Sequence, residues 1–226
     1  MQFNLARREL QLKVVYYGPA LSGKTTNLQA LHLMAPQAGA GRLMTLETRD
    51  DRTLFFDLLP VALRTPGGLT IKIKLFTVPG QPIHQSTRRV VLHTTDGIVF
   101  VADSQVAETE SNKQSFHDLR TNLKHNQLPE DLPMVIQFNK RDLPAIRTED
   151  ELQTLQRARS TPLFRAVAIR GEGVRETLSG LLHLVWQDLE RRHHFATRVG
   201  LGADDFVSEL FAGWSAPRPL HGGESP

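Results

Sequence analysis

The run Gly18-Pro19-Ala20-Leu21-Ser22-Gly23-Lys24-Thr25 places two glycines, a lysine and a hydroxyl at the spacing Gly-x4-Gly-Lys-Ser/Thr. Each fixed position has a task if the ligand is a phosphate chain. Gly18 and Gly23 give the loop the backbone freedom to turn its N–H groups onto phosphate oxygens. Lys24 reaches the terminal phosphates, and the Thr25 hydroxyl ligates magnesium. Ser22 and Thr26 join this expected nucleotide-binding set. A second cluster, Asn139-Lys140-Arg141-Asp142, follows an apolar run and sits where a base would lie. The Asp142 carboxylate can accept two hydrogen bonds from the N1–H and N2–H2 edge of guanine, whereas adenine offers no such donor pair. Asn139 would contact the base and tie neighbouring loops together, and the Lys140 stem would cover the purine face.

These residues need an α/β framework, and the rest of the chain supplies its pattern. Short apolar or β-branched runs alternate with stretches of helical spacing, which predicts a sheet with crossover helices. Strands are expected at Lys13 to Tyr17, Thr70 to Val78, Gly97 to Ala102, Met134 to Phe138 and Phe164 to Ala168. Extended pieces are expected at Leu43 to Glu47 and Leu54 to Leu58, around a polar loop. Helices are expected over Lys24 to Leu33, near Thr87 to His93, and over Ser111 to His125, Glu149 to Arg157 and Val174 to Arg191. The last places Val174, Leu178, Leu181, Leu182, Val185, Trp186 and Leu189 on one stripe, the mark of packing on a sheet. The phosphate loop then falls between a strand and a helix, where the helix N-terminus favours negative charge.

Composition agrees with a folded protein. The chain has 226 residues, 40% hydrophobic and 23% charged, with a formal net charge of +3. That balance excludes a largely disordered, collagen-like or coiled-coil chain and gives no reason to expect nucleic acid as a partner. The absence of cysteine excludes disulfides, zinc ribbons, iron–sulfur clusters and thiol nucleophiles. With no apolar run of about 18 residues, a transmembrane segment is not expected, and the cytoplasm is the expected location.

With both motifs in place, the chain resembles the small Ras-like GTPases, and within them the bacterial MglA family of polarity and motility switches. The resemblance covers about residues 1–192. It rests on Tyr16-Tyr17-Gly18-Pro19, Asp51-Arg52-Thr53-Leu54-Phe55-Phe56-Asp57, Thr77-Val78-Pro79-Gly80-Gln81, Val101-Ala102-Asp103-Ser104 and Asn139-Lys140-Arg141-Asp142-Leu143-Pro144. It implies a small-GTPase P-loop fold: a mostly parallel six- or seven-stranded sheet with helices on both faces.

Further roles follow from the resemblance. Thr53 would be the switch I threonine that binds magnesium, and Arg52 an arginine finger supplied by the protein itself. Gly80 would give its N–H to the γ-phosphate, and Gln81 would position the attacking water. A backbone N–H at Ala168 would meet the guanine carbonyl. The usual Asp-x-x-Gly is here Thr77-Val78-Pro79-Gly80, so the carboxylate expected near magnesium is missing at position 77. The implied partners are GTP and GDP, a dimeric roadblock-fold activator of the MglB type, and polarity or motility effectors. Such partners would recruit the protein to a cell pole or the inner membrane surface.

Two other classes stay open at this level: a nucleotide-dependent scaffold with little hydrolysis, and an ATP-using P-loop enzyme in which Asp103 holds magnesium. Residues 193–226 form an extension. Phe206, Val207, Leu210, Phe211 and Trp214 have helical apolar spacing, so a helix is expected near 204–214, followed by a flexible tail rich in proline and glycine. This helix would pack on its own domain or serve a partner, unless it stays disordered.

Overall fold

The computed structural model describes residues 1–4, 6–36, 39–46, 56–65 and 67–220. The elements run β1 (Gln2–Asn4), β2 (Glu9–Tyr17), α1 (Lys24–Met34), β3 (Met44–Leu46), β4 (Phe56–Arg64), β5 (Thr70–Thr77), α2 (Gln85–Leu92), β6 (Gly97–Asp103) and α3 (Thr109–His125). They continue with β7 (Met134–Asn139), α4 (Glu149–Arg157), β8 (Leu163–Arg165), α5 (Val174–His193), α6 (Phe195–Val199) and α7 (Ala203–Phe211). Among the described residues one sheet holds eight strands, in the order β3-β4-β5-β2-β6-β7-β8 with β1 added beside β2.

The β5, β2, β6, β7 and β8 strands are parallel, as the alternation of strands and helices predicts. The sheet exceeds the expected six or seven strands because β1 pairs antiparallel with β2, Gln2 facing Gln11. β6 covers β2 only from Val14 to Tyr17, so the edge at Glu9 to Gln11 is left for β1. Charge in Met1 to Lys13 hid both this strand and the early start of β2, since an edge pair can keep one face in water.

β4 also runs further than expected, through Pro60 to Arg64. The β3 ladder ends at Leu58, so the N–H that Pro60 lacks removes no bond from β3. Leu54, Phe55 and Glu47 of the expected extended pieces lie outside the described residues.

Two apolar layers sandwich the sheet. α1 and α5 cover one face and α2, α3 and α4 the other. The whole predicted α5 stripe is buried, with Trp186 1% exposed. Its cationic end is used within the chain: Arg191 and Arg192 both pair with Asp131, at 2.6 and 2.7 Å.

The extension lies on the α1/α5 face. Phe206, Leu210 and Trp214 are buried in that core, and the Phe206 ring stacks on Trp186 at 4.2 Å. The Trp186 indole N–H donates to Leu201 O at 3.0 Å, which fastens the link between α6 and α7.

Candidate functional site

In a parallel sheet, ligands bind beyond the carboxyl ends of the strands. Here β2 ends at Tyr17 before the phosphate loop and β5 at Thr77 before Gly80 and Gln81. β6 ends at Asp103 and β7 at Asn139, at the head of the base motif. Parallel pairing therefore brings together four motifs that are far apart in sequence.

Gly23 starts α1 with φ of 96°, and a Cβ there would meet Asn139 Nδ2 at 2.2 Å, so only glycine fits. Behind the loop, Asn27 of α1 exchanges two 2.9 Å bonds with Gln137 of β7, whose amide also donates to Thr177 of α5. This buried network fixes the helix that carries Lys24 and Thr25. The Lys24 ammonium donates to Gly18 O at 3.1 Å and Pro19 O at 2.6 Å. Burial, helped by the nearby positive charge of Arg88, pulls its pKa down to about 8, partly opposed by Asp57.

A residue with no assigned role sits beside Thr25. Asp57 at the start of β4 is 6% exposed, and its carboxylate accepts from three hydroxyls: Thr25 at 2.6 Å, Thr45 at 2.9 Å and Thr77 at 2.9 Å. The Asp57 N–H in turn donates to Thr77 Oγ1 at 2.8 Å. Thr77, which stands where the usual Asp-x-x-Gly pattern has a carboxylate, therefore orients a carboxylate supplied by the neighbouring strand. The Thr25 hydroxyl spends its proton on Asp57, leaving oxygen lone pairs for a metal. A hydroxyl and a carboxylate side by side are the hard oxygen donors that suit magnesium. These residues, with Lys24, Gly80 and Gln81, line one cavity of about 430 Å3.

Gly80 lies directly over the phosphate loop, where a Cβ would meet Ala20 N at 2.4 Å. The backbone oxygens of Pro79 and Gln81 accept from Arg88 of α2. Arg88 is anchored to Asp118 of α3 at 2.8 Å, and Asp118 also accepts from the Tyr17 hydroxyl. The Gln81 side chain is exposed.

At the other end, Asn139 is 2% exposed and ties two loops: its Nδ2 donates to Ser22 O at 2.8 Å, and its Oδ1 accepts from Ala168 N at 2.9 Å. The Ala168 N–H, expected to meet a guanine carbonyl, is thus spent on Asn139. The next amide, that of Ile169, has no acceptor among the described residues. Asp142 is exposed to solvent, and Arg170 of the turn Ala168–Arg170 stands 4.0 Å from its carboxylate. Lys140 pairs with Asp103 at 2.6 Å.

The model of the ADP-ribosylation factor (Arf) family matches residues 2–185. Mutual gliding-motility protein MglA of Myxococcus xanthus (strain DK1622) is 43% identical over 189 residues, 83% of this chain and 97% of that one. The chain belongs to the Arf family of small GTPases and is of the MglA type.

For a small GTPase the ATPase reading of Asp103 is the poorer fit. One Asp103 oxygen is taken by Lys140 and the other accepts from Gln105 N at 3.0 Å. Arg52 and Thr53 lie outside the described residues. Thr26 is half-buried on α1, and Ser22 is buried in the loop. What the sequence reading missed in this GTPase is Asp57. The available signal was an acid within the apolar strand Phe56-Asp57-Leu58-Leu59, at the end of a motif already singled out.

Proposed function

We propose that this chain is a guanine-nucleotide switch that binds GTP and slowly hydrolyses it to GDP and phosphate. What supports the reading most is the single cleft that joins Lys24, Thr25, Asp57, Thr77, Gly80 and Gln81. A phosphate loop, a hard-oxygen metal site and a water-positioning amide are the parts phosphoryl transfer needs.

In this reading the phosphate-loop amides and Lys24 bind the phosphates, while Asp142, Asn139 and Lys140 hold guanine, with a loop amide at Ala168 or Ile169 facing its carbonyl. Thr25 and Thr53 would hold magnesium, with Asp57 as the carboxylate that position 77 lacks; the ion's charge offsets that on the phosphate oxygens. Gln81 positions the water for in-line attack, and Arg52 and Lys24 stabilise the charge that develops. Ordering of the Arg52–Thr53 and Gly80–Gln81 segments by the γ-phosphate distinguishes the two states. The Myxococcus relative is a mutual gliding-motility protein, which supports a role in motility; a role in polarity, a roadblock-fold MglB-type activator and effectors that recruit the switch to a cell pole or membrane surface complete the proposal.

The test is release of fluorescent GDP under competition by GTP and by ATP, followed by hydrolysis assays. Displacement by GTP alone and loss of activator-stimulated hydrolysis in Arg52→Ala and Gln81→Leu are expected. Equal displacement by ATP overturns the guanine reading.

A further inference from the structure

The tail beyond α7 reaches the base-reading end of the cleft. Trp214 is buried, and the next residue, Ser215, donates its N–H to Met34 O at the end of α1, at 2.8 Å. At Leu220 the backbone N–H donates to Ile169 O, again at 2.8 Å. Between these bonds Pro217 lies against Gly171, where a Cβ would meet Pro217 Cβ at 3.2 Å and Arg218 N at 3.3 Å. Residues 215–220 therefore run from the end of α1 to the turn Ala168–Arg170.

That turn is gripped from two directions. Asn139 Oδ1 accepts the Ala168 N–H, and Leu220 donates to the carbonyl of the adjacent Ile169. Arg170 of the same turn stands 4.0 Å from Asp142. Both base-motif side chains thus touch a turn that the tail braces. The anchor behind the brace is firm, because Phe206 and Leu210 are 0% and 4% exposed. Nine residues separate Leu210 from Leu220, a short link whose closure costs little chain entropy.

We infer that the C-terminal extension is an intramolecular strap that positions the base-reading turn and slows nucleotide release. This rests on the guanine reading above. The strap lies beyond residue 185, where the family-model match ends, so it adds to the matched GTPase core a hold on its own nucleotide.

The test measures dissociation of fluorescent GDP into excess unlabelled GDP at fixed magnesium, for the full chain, for Leu220→Pro and for a truncation after Ser215. Leu220→Pro removes the one donor, and the truncation leaves α7 and Trp214 in place. Release should quicken about two- to tenfold in both, the worth of a solvent-accessible hydrogen bond. The thermal midpoint should fall by no more than about 5 °C, the worth of that one bond, which a general loosening of the core would not allow. Should the truncated chain fail to fold, Leu220→Pro decides. Unchanged release from Leu220→Pro, in a chain that binds GDP and discriminates against ATP, overturns the strap and leaves the guanine reading standing. Failure of the unmodified chain to bind GDP overturns both.

Discussion

Replacing Asp57 by Asn keeps the shape of the site and removes its charge. The carboxylate accepts from Thr25, Thr45 and Thr77, and among the described residues no Lys or Arg is ion-paired with it. An amide retains one accepting oxygen, and a hydroxyl facing the new NH2 must rotate to accept. Because threonine hydroxyls turn freely, the cost to the fold should be only about 1 kcal/mol. The charge has no such substitute. Loss of a group that orients a metal ligand costs about 10- to 100-fold in metal affinity, or about 1.4–2.7 kcal/mol. Release of fluorescent GDP, followed against buffered free magnesium, should show a midpoint displaced by that factor, with normal retention at saturating metal. Thr77→Asp supplies the converse. It sets a second carboxylate where a hydroxyl now lies 2.9 Å from Asp57 Oδ2, and like charges so close force one group to hold a proton. Alone it should weaken magnesium binding; combined with Asp57→Asn it should restore it. A magnesium midpoint unmoved by Asp57→Asn, or a tighter one in Thr77→Asp alone, refutes the assignment.

Lys24, with its pKa pulled down to about 8 mainly by burial, must carry its proton to meet phosphate. Bound phosphate raises that pKa, so affinity is flat below about pH 7 and falls above 8. The expected loss between pH 6.5 and 8.5 is about fourfold, with proton uptake detectable by calorimetry in buffers of different ionisation enthalpy. Phe206→Ala removes a fully buried ring stacked on Trp186 and should destabilise the chain by about 3–5 kcal/mol in urea unfolding. A loss below about 1 kcal/mol would mean that the extension does not belong to the core. Asn139→Ala leaves Ser22 O and Ala168 N without their buried partner and should cost about 2–4 kcal/mol, with weakened GDP binding in the same titration. Unchanged stability would show that this tie does not hold the two loops.

The phosphate loop, the base motif and the strand–helix alternation were legible in the sequence because each is local: a fixed spacing of glycine, lysine and hydroxyl, an apolar run, a stripe at helical period. The crossover pattern then set these motifs at the carboxyl ends of one sheet. Pairing across the sheet, by contrast, is decided by register. Leu58 faces Phe76 across the antiparallel β4 and β5, and that pairing alone carries Asp57 to Thr77, a neighbour twenty residues away in sequence. A composition or motif scan sees a missing carboxylate at 77, whereas the register supplies one from 57. The same holds for the Ala168 amide in the turn after β8, whose acceptor, Asn139, lies at the end of β7. In the extension, periodicity predicted a helix near 204–214, and α7 forms at Ala203–Phe211. Periodicity says which face of a helix is apolar and nothing about what covers it. Burial against Trp186 and the end of α1 became the answer only once α1 and α5 had packed and left that surface exposed, because the hydrophobic effect rewards whichever apolar areas the fold brings within reach.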